Sequence, residues 1–155
     1  MSLESVRSWL HLHAPDVPLI EAHASTATVA DAAAALGVEA ARIAKTLSVR
    51  ANGATFVLVT RGDARLDNGK SKAVFGGRPR MLDAEETLAL TGHPLGGVCP
   101  FGLASPLPVY CDESLRAFDI VYPAAGSRNS SVEISPERLA DITEAQWVDV
   151  CTLPG

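Results

Sequence analysis

Three segments of the chain hold residues whose types and spacing suit chemistry. The first is Lys45, within the run Ile43-Ala44-Lys45-Thr46-Leu47-Ser48-Val49. In an extended strand Ile43, Lys45, Leu47 and Val49 point to one side. An ammonium on an otherwise apolar face is costly unless it has a partner or a task. The plainer alternative is a lysine at a strand edge, reaching out to water. The second segment is Gly92-His93-Pro94-Leu95-Gly96-Gly97-Val98-Cys99-Pro100-Phe101-Gly102. Gly96 and Gly97 let a backbone approach a ligand closely, and their adjacent N–H groups suit a developing oxyanion. Pro94 and Pro100 stiffen the loop. The third is Ala125-Gly126-Ser127-Arg128-Asn129-Ser130-Ser131, which can line a pocket with small residues and hydroxyls. Each glycine-rich piece also reads as an ordinary connection with turn dihedrals.

Other constellations are weaker. Cys99 and His93 could form a thiol hydrolase pair, but a thiolate needs a lowered pKa, and six residues in a Pro/Gly loop do not guarantee contact. A small buried Cys99 is the simpler reading. Cys99, Cys111 and Cys151 are odd in number and lack metal-knuckle spacing. No Ser-His-Asp or metal-ligating set stands out, so neither metal nor cofactor is expected.

These residues must be positioned by the elements around them. Leu3–His13 reads as a helix with Val6, Trp9, Leu10 and His13 on one face, stopped at Pro15. Val17–Ala22 is a short strand candidate. Thr28 caps a helix over Val29–Leu36 that ends at Gly37, and Glu39–Ala44 adds a helical turn. Ile43–Val49 and Thr55–Thr60 flank Asn52-Gly53, a strong hairpin signal. Arg61–Lys72 reads as a loop entering a short helix. Asp83–Leu90 is a helix with an acidic first turn, ended by Gly92. Leu107–Cys111, Asp119–Tyr122, Val132–Ile134 and Gln146–Cys151 are strand candidates. Ser135 caps a last helix opened by Pro136 and Glu137. Interleaved strands and helices predict one α/β domain over residues 1–155, with a mixed, barrel-like sheet and surrounding helices.

Composition bounds the function. The 155 residues suit one core, filled by Ala, Val and Leu because aromatics are few. No run approaches the roughly 18 apolar residues of a membrane span. No signal peptide is evident, so a cytoplasmic protein with reduced thiols is expected. The net charge of −5 counts against a general nucleic-acid binder, DNA included. Residues 61–80 nevertheless carry +4, from Arg61, Arg65, Lys70, Lys72, Arg78 and Arg80 against Asp63 and Asp67, which leaves −9 elsewhere. A basic patch on an acidic body fits a protein that grips one phosphate-bearing segment; scattered charge on a solvated loop is the alternative.

Taken together, Ala44-Lys45-Thr46-Leu47, Gly62-Asp63, the segment from Gly92 to Gly102, and Ala125-Gly126-Ser127-Arg128 resemble the YbaK/EbsC family of aminoacyl-tRNA editing domains. Order and spacing agree over roughly residues 20–150. The resemblance implies a free-standing deacylase of mischarged aminoacyl-tRNA, most often tRNA for proline carrying a wrong small amino acid. Lys45 matches the lysine that positions the aminoacyl-adenosine end. Gly96 and Gly97 match the pair around the substrate carbonyl. Thr46, Cys99, Pro100, Gly126 and Ser127 are then expected at the substrate, and Lys70, Lys72, Arg78 and Arg80 at the tRNA phosphates. Prolyl-tRNA synthetase is an expected partner, and no membrane is.

Two departures leave the amino acid open. Thr46 stands where alanine-specific members carry Asn, with no matching distal His. Ser127–Ser131 differs from the Gly-Lys-Arg-Gly run of cysteine-specific YbaK. An aminoacyl ester is already activated, so positioning and oxyanion stabilisation can suffice. The attacker is either water oriented by a tRNA hydroxyl or a nucleophile of the substrate. Two rival readings remain at this level: a thiol hydrolase using Cys99, and a non-catalytic RNA- or nucleotide-binding module.

Overall fold

The computed structural model describes residues 2–154. Helix α1 (Ser2–His13) precedes the short strand β1 (Leu19–Glu21). Helix α2 (Val29–Leu36) begins where Thr28 Oγ1 accepts from the Asp31 N–H at 3.0 Å, and it ends at Gly37 in the left-handed region. A single 3-10 turn, Ala40–Arg42, leads into β2 (Ile43–Ala51). The Asn52-Gly53 turn, with positive φ at both residues, returns the chain along β3 (Ala54–Arg61). Two short strands flank the next helix: β4 (Arg65–Leu66), α3 (Asn68–Phe75) and β5 (Arg80–Met81). Helix α4 (Ala84–Thr91) is capped by the Asp83 carboxylate and closed by Gly92. After the long Gly/Pro loop come β6 (Val109–Asp112), a 3-10 turn at Glu113–Ala117, β7 (Tyr122–Pro123) and β8 (Ser130–Val132). Helix α5 (Pro136–Thr143), capped by Ser135, is followed by β9 (Gln146–Val148) and β10 (Cys151–Thr152).

The main sheet runs β5-β2-β3-β6-β9, and β7 pairs in parallel with β2. Pairing is antiparallel for β5-β2 and β2-β3 and parallel for β3-β6 and β6-β9. The sheet is therefore mixed, as expected, but it is open: β5 and β9 do not pair, so the barrel-like closure anticipated from the strand count does not occur. Two small antiparallel pairs, β1-β8 and β10-β4, take up strands that a barrel would have needed.

Alternation along β2 and β3 builds a core on each side of this sheet. Ala44 and Val59 belong to a cluster with Val6, Leu10, Phe101, Leu115 and Leu139. Leu47, Val49, Phe56 and Leu58 belong to a second cluster with Phe75, Tyr110 and Val150. The predicted last strand breaks in two because Asp112 Oδ1 accepts from the Val150 N–H at 2.8 Å, which bends the chain between β9 and β10. No helix among the described residues is long and apolar enough to cross a membrane.

Candidate active site

A cleft of about 130 Å³ lies where β2, α2 and the Gly/Pro loop converge. Ala44, Thr46 and Ser48 form its floor by strand alternation. Val29 and Ala32 of α2 form one wall; Leu95, Gly96 and Val98 form the other. Tyr122, Ala124 and Ser131 close the end, and Met81 stands at the margin. The walls are held by hydrogen bonds between distant segments. Thr26 N–H donates to the Arg128 carbonyl (2.7 Å), Ala22 N–H to that of Asn129 (2.7 Å), and Arg128 Nε to that of Leu95 (3.2 Å).

Lys45 borders the cleft and shares its strand face with Leu47 and Val49, as the alternation predicts. Its Nζ donates to the Ala64 carbonyl at 2.5 Å. Burial pushes its pKa below the ordinary lysine value, while Cys151 and Asp63 pull it back. Thr46 faces the cleft directly. Its Oγ1 is buried and, among the described residues, has no hydrogen-bond partner. An unsatisfied buried hydroxyl costs roughly 1–3 kcal/mol, which a polar ligand atom can recover.

Gly96 lines the cleft with φ of +88°, and a Cβ there would meet Ala27 Cβ at 3.0 Å. Gly97 lies behind it. Its N–H donates to the Pro94 carbonyl (3.0 Å), and its carbonyl accepts from the Gly126 N–H (3.0 Å). The adjacent pair of free N–H groups expected from the sequence is therefore not present: a tight turn uses the Gly97 donor. Gly126 packs against Ser2 at the start of α1, and Ser127 Oγ is engaged with Asn129 and Ser130. Pro100 borders a separate groove with Trp9 and His13. Of the residues anticipated at the substrate, the structure brings Thr46 and Gly96 together on the cleft, places Lys45 at its border with the ammonium turned to Ala64 on the other face of β2, and places Gly97, Cys99, Pro100, Gly126 and Ser127 behind or away from the cleft.

Cys99 and His93 do meet, with Sγ 3.5 Å from Nε2, and both are fully buried. The Phe101 carbonyl can only accept, so the Nε2 it touches at 2.7 Å carries the proton. Nδ1 then accepts from Ser2 Oγ at 2.5 Å. The nitrogen facing the thiol is thus no base, and burial pushes the Cys99 thiol up to about 12. This arrangement is structural and argues against the thiol hydrolase. Among the described residues no group of three His, Cys, Asp or Glu is placed to hold a metal ion.

The basic window is divided. Arg61 is paired with Asp63 at 2.7 Å and lies over the Phe118 ring. Lys70 is paired with Asp149 at 3.1 Å and also donates to the Cys151 carbonyl. Lys72 is exposed on α3. Arg78 and Arg80 lie apart from these lysines, in a groove with Arg50, Asn52, Met81 and Glu86.

Sequence reasoning missed Thr26, Thr28, Ser48, Met81 and Tyr122 at the cleft, which the fold gathers from four segments, whereas Ser131 lies in the segment read as pocket-lining. Only Ser48 carried a signal, as a second hydroxyl on the Thr46 face of β2.

An open mixed sheet with this cleft defines a class. Residues 23–142 match the aminoacyl-tRNA editing domain family, and the chain belongs to that family. It is 47% identical over 153 residues to the uncharacterised protein YwhH of Bacillus subtilis, covering 97% of this chain and 98% of YwhH. It is 32% identical over 134 residues to EbsC of Enterococcus faecalis, named as a candidate Cys-tRNA(Pro)/Cys-tRNA(Cys) deacylase, covering 85% of this chain and 80% of EbsC. A solved structure described as a candidate trans-editing enzyme for prolyl-tRNA synthetase superimposes with a TM-score of 0.88 at 34% identity, over 99% of this chain and 98% of that one.

Proposed function

We propose that the protein hydrolyses the ester of a mischarged aminoacyl-tRNA, with tRNA for proline carrying a wrong small amino acid as the preferred substrate class. The observation that carries this reading is the cleft itself. It is narrow, and its floor offers a buried Thr46 hydroxyl without a partner, beside Lys45 and under Gly96. The small cleft, about 130 Å³, supports a small amino-acid side chain. Thr46 Oγ1 meets a polar atom of the aminoacyl group, and the Gly96 backbone faces the carbonyl. Lys45 leaves the Ala64 carbonyl for the adenosine end of the tRNA. Water adds to the ester carbon, the bond from that carbon to the ribose oxygen breaks, and the ribose oxygen takes the proton. The products are a free amino acid and an uncharged tRNA.

Gly97, Gly126 and Ser127 act as positioning residues for Gly96 under this reading, and Cys99 with Pro100 anchors the loop from beneath. The names of EbsC and of the superimposed trans-editing structure support the proline-tRNA assignment and a synthetase as partner. The test is single-turnover deacylation of a panel of tRNAs charged with alanine, serine, cysteine, threonine and the cognate proline. The expected result is release of at least one small non-cognate amino acid, with Pro-tRNA(Pro) spared. Absence of turnover on every member, with retained tRNA binding, would sink the enzyme reading in favour of a binding module.

A further inference from the structure

We infer that Arg50, Arg78 and Arg80 form a phosphate-binding groove that carries the single-stranded 3′ end of the RNA into the cleft; this rests on the editing function proposed above. Three observations point there. First, the groove is continuous with the cleft: Met81 lines both. Thr46, Ser48 and Arg50 alternate on one face of β2, so the path from the orphan hydroxyl to the first guanidinium is about 13 Å along the strand.

Second, Arg50 and Arg80 are direct cross-strand partners in the β2-β5 pair. Like charges facing each other across a ladder are destabilising. Glu86 neutralises only one of them, at 2.8 Å from Arg50 Nη2, and Thr55 Oγ1 accepts from Arg50 Nε at 3.1 Å. Arg50 is thereby oriented, and an uncompensated excess of two positive charges remains among the three arginines.

Third, Arg78 and Arg80 form no ion pair among the described residues, and of the unpaired cations in the basic window, which include Arg65 and Lys72, only these two line the groove. Both groove arginines are exposed and free to meet an anion. A repulsive pair left open beside a ligand cleft is relieved by a polyanion. The phosphates just upstream of the terminal adenosine are the polyanion that the cleft's substrate brings with it.

The test compares wild type with Arg78→Ala/Arg80→Ala and with Lys70→Ala/Lys72→Ala. Two substrates are used: a full mischarged tRNA, and a 3′-aminoacyl adenosine that has no upstream phosphate. For the arginine variant we expect KM for the tRNA to rise about tenfold and the slope of log affinity against log salt to fall by about 1.4, at roughly 0.7 per single-strand phosphate contact. Its turnover of the aminoacyl adenosine should match wild type, and the lysine variant should raise KM for the tRNA and lower the salt slope less than the arginine variant does. A groove variant with unchanged KM and salt slope on an active wild-type background overturns this inference alone. A lysine variant that carries the whole effect also overturns it. A wild type inactive on every charged tRNA defeats the editing function instead, and binding of uncharged tRNA by the three proteins then still reads the groove directly.

Discussion

At the residue scale, the two side chains with nucleophilic or cationic promise diverge. Lys45 is half-buried with its ammonium donating to the Ala64 carbonyl, a partner that it exchanges for a substrate oxygen under the proposed function. Lys45→Ala should fold and should lose about 100-fold or more in single-turnover deacylation, the scale of losing one preorganised electrostatic contact. Near-wild-type rates in a folded variant would remove Lys45 from the site. Cys99 is the opposite case. Its thiol stays protonated up to about pH 12, and its neighbouring nitrogen is a donor. Cys99→Ser should keep deacylation within about threefold of wild type, because the hydroxyl still has the Phe101 carbonyl to donate to. An acyl-thioester trapped on Cys99 would reverse this assignment.

At the element scale, the crossing of two loops sets the site. A Cβ on Gly97 would fall 2.8 Å from Ser127 N and 2.9 Å from the Gly126 carbonyl carbon. Both are backbone atoms and neither can swing aside. Gly97→Ala should therefore cost about 1–3 kcal/mol, read as a lowered midpoint in chemical denaturation, and should weaken activity by displacing Gly96. A variant as stable as wild type would show that the loops are not in register. The local elements were largely legible in the sequence: Thr28 and Gly37 bound α2 as read, Asn52-Gly53 turns the hairpin, and Ser135 caps α5. The short strands were not. β4 and β5 are two residues each, too brief for any periodicity, and they exist only because β10 and β2 offer edges. The site was half legible for a related reason. Lys45 announces itself within one strand, Thr46 enters through the family resemblance and Ser131 through the small-residue segment, but Thr26 and Tyr122 reach the cleft by long-range pairing that no local pattern encodes.

At the scale of the whole molecule, His93 ties separate parts together. It joins the first turn of α1 through Ser2 to the far end of the Gly/Pro loop through Phe101. Burial lowers its pKa below the ordinary 6.5, with the Phe101 carbonyl opposing. In acid the unfolded chain therefore takes up a proton that the folded state refuses. Stability is full above about pH 6.5 and is lost as pH falls through that value toward the lower folded pKa. Unfolding free energy measured by denaturant from pH 7.5 to 5 should decline, and His93→Gln, less stable throughout, should lack that component of the slope. Parallel pH curves for the two proteins would mean that the imidazole titrates alike in both states.

The back-to-back contact of Gly97 with Gly126 has a consequence for how this pocket can change over generations. Neither loop can accept a side chain at the crossing, so the backing of that wall is closed to innovation. Diversification of what the cleft admits is left to the floor and the opposite wall, where Thr46, Val29 and Ala32 carry ordinary side chains on regular elements. A laboratory lineage selected for a new amino acid should accumulate its substitutions there and leave the glycine crossing untouched.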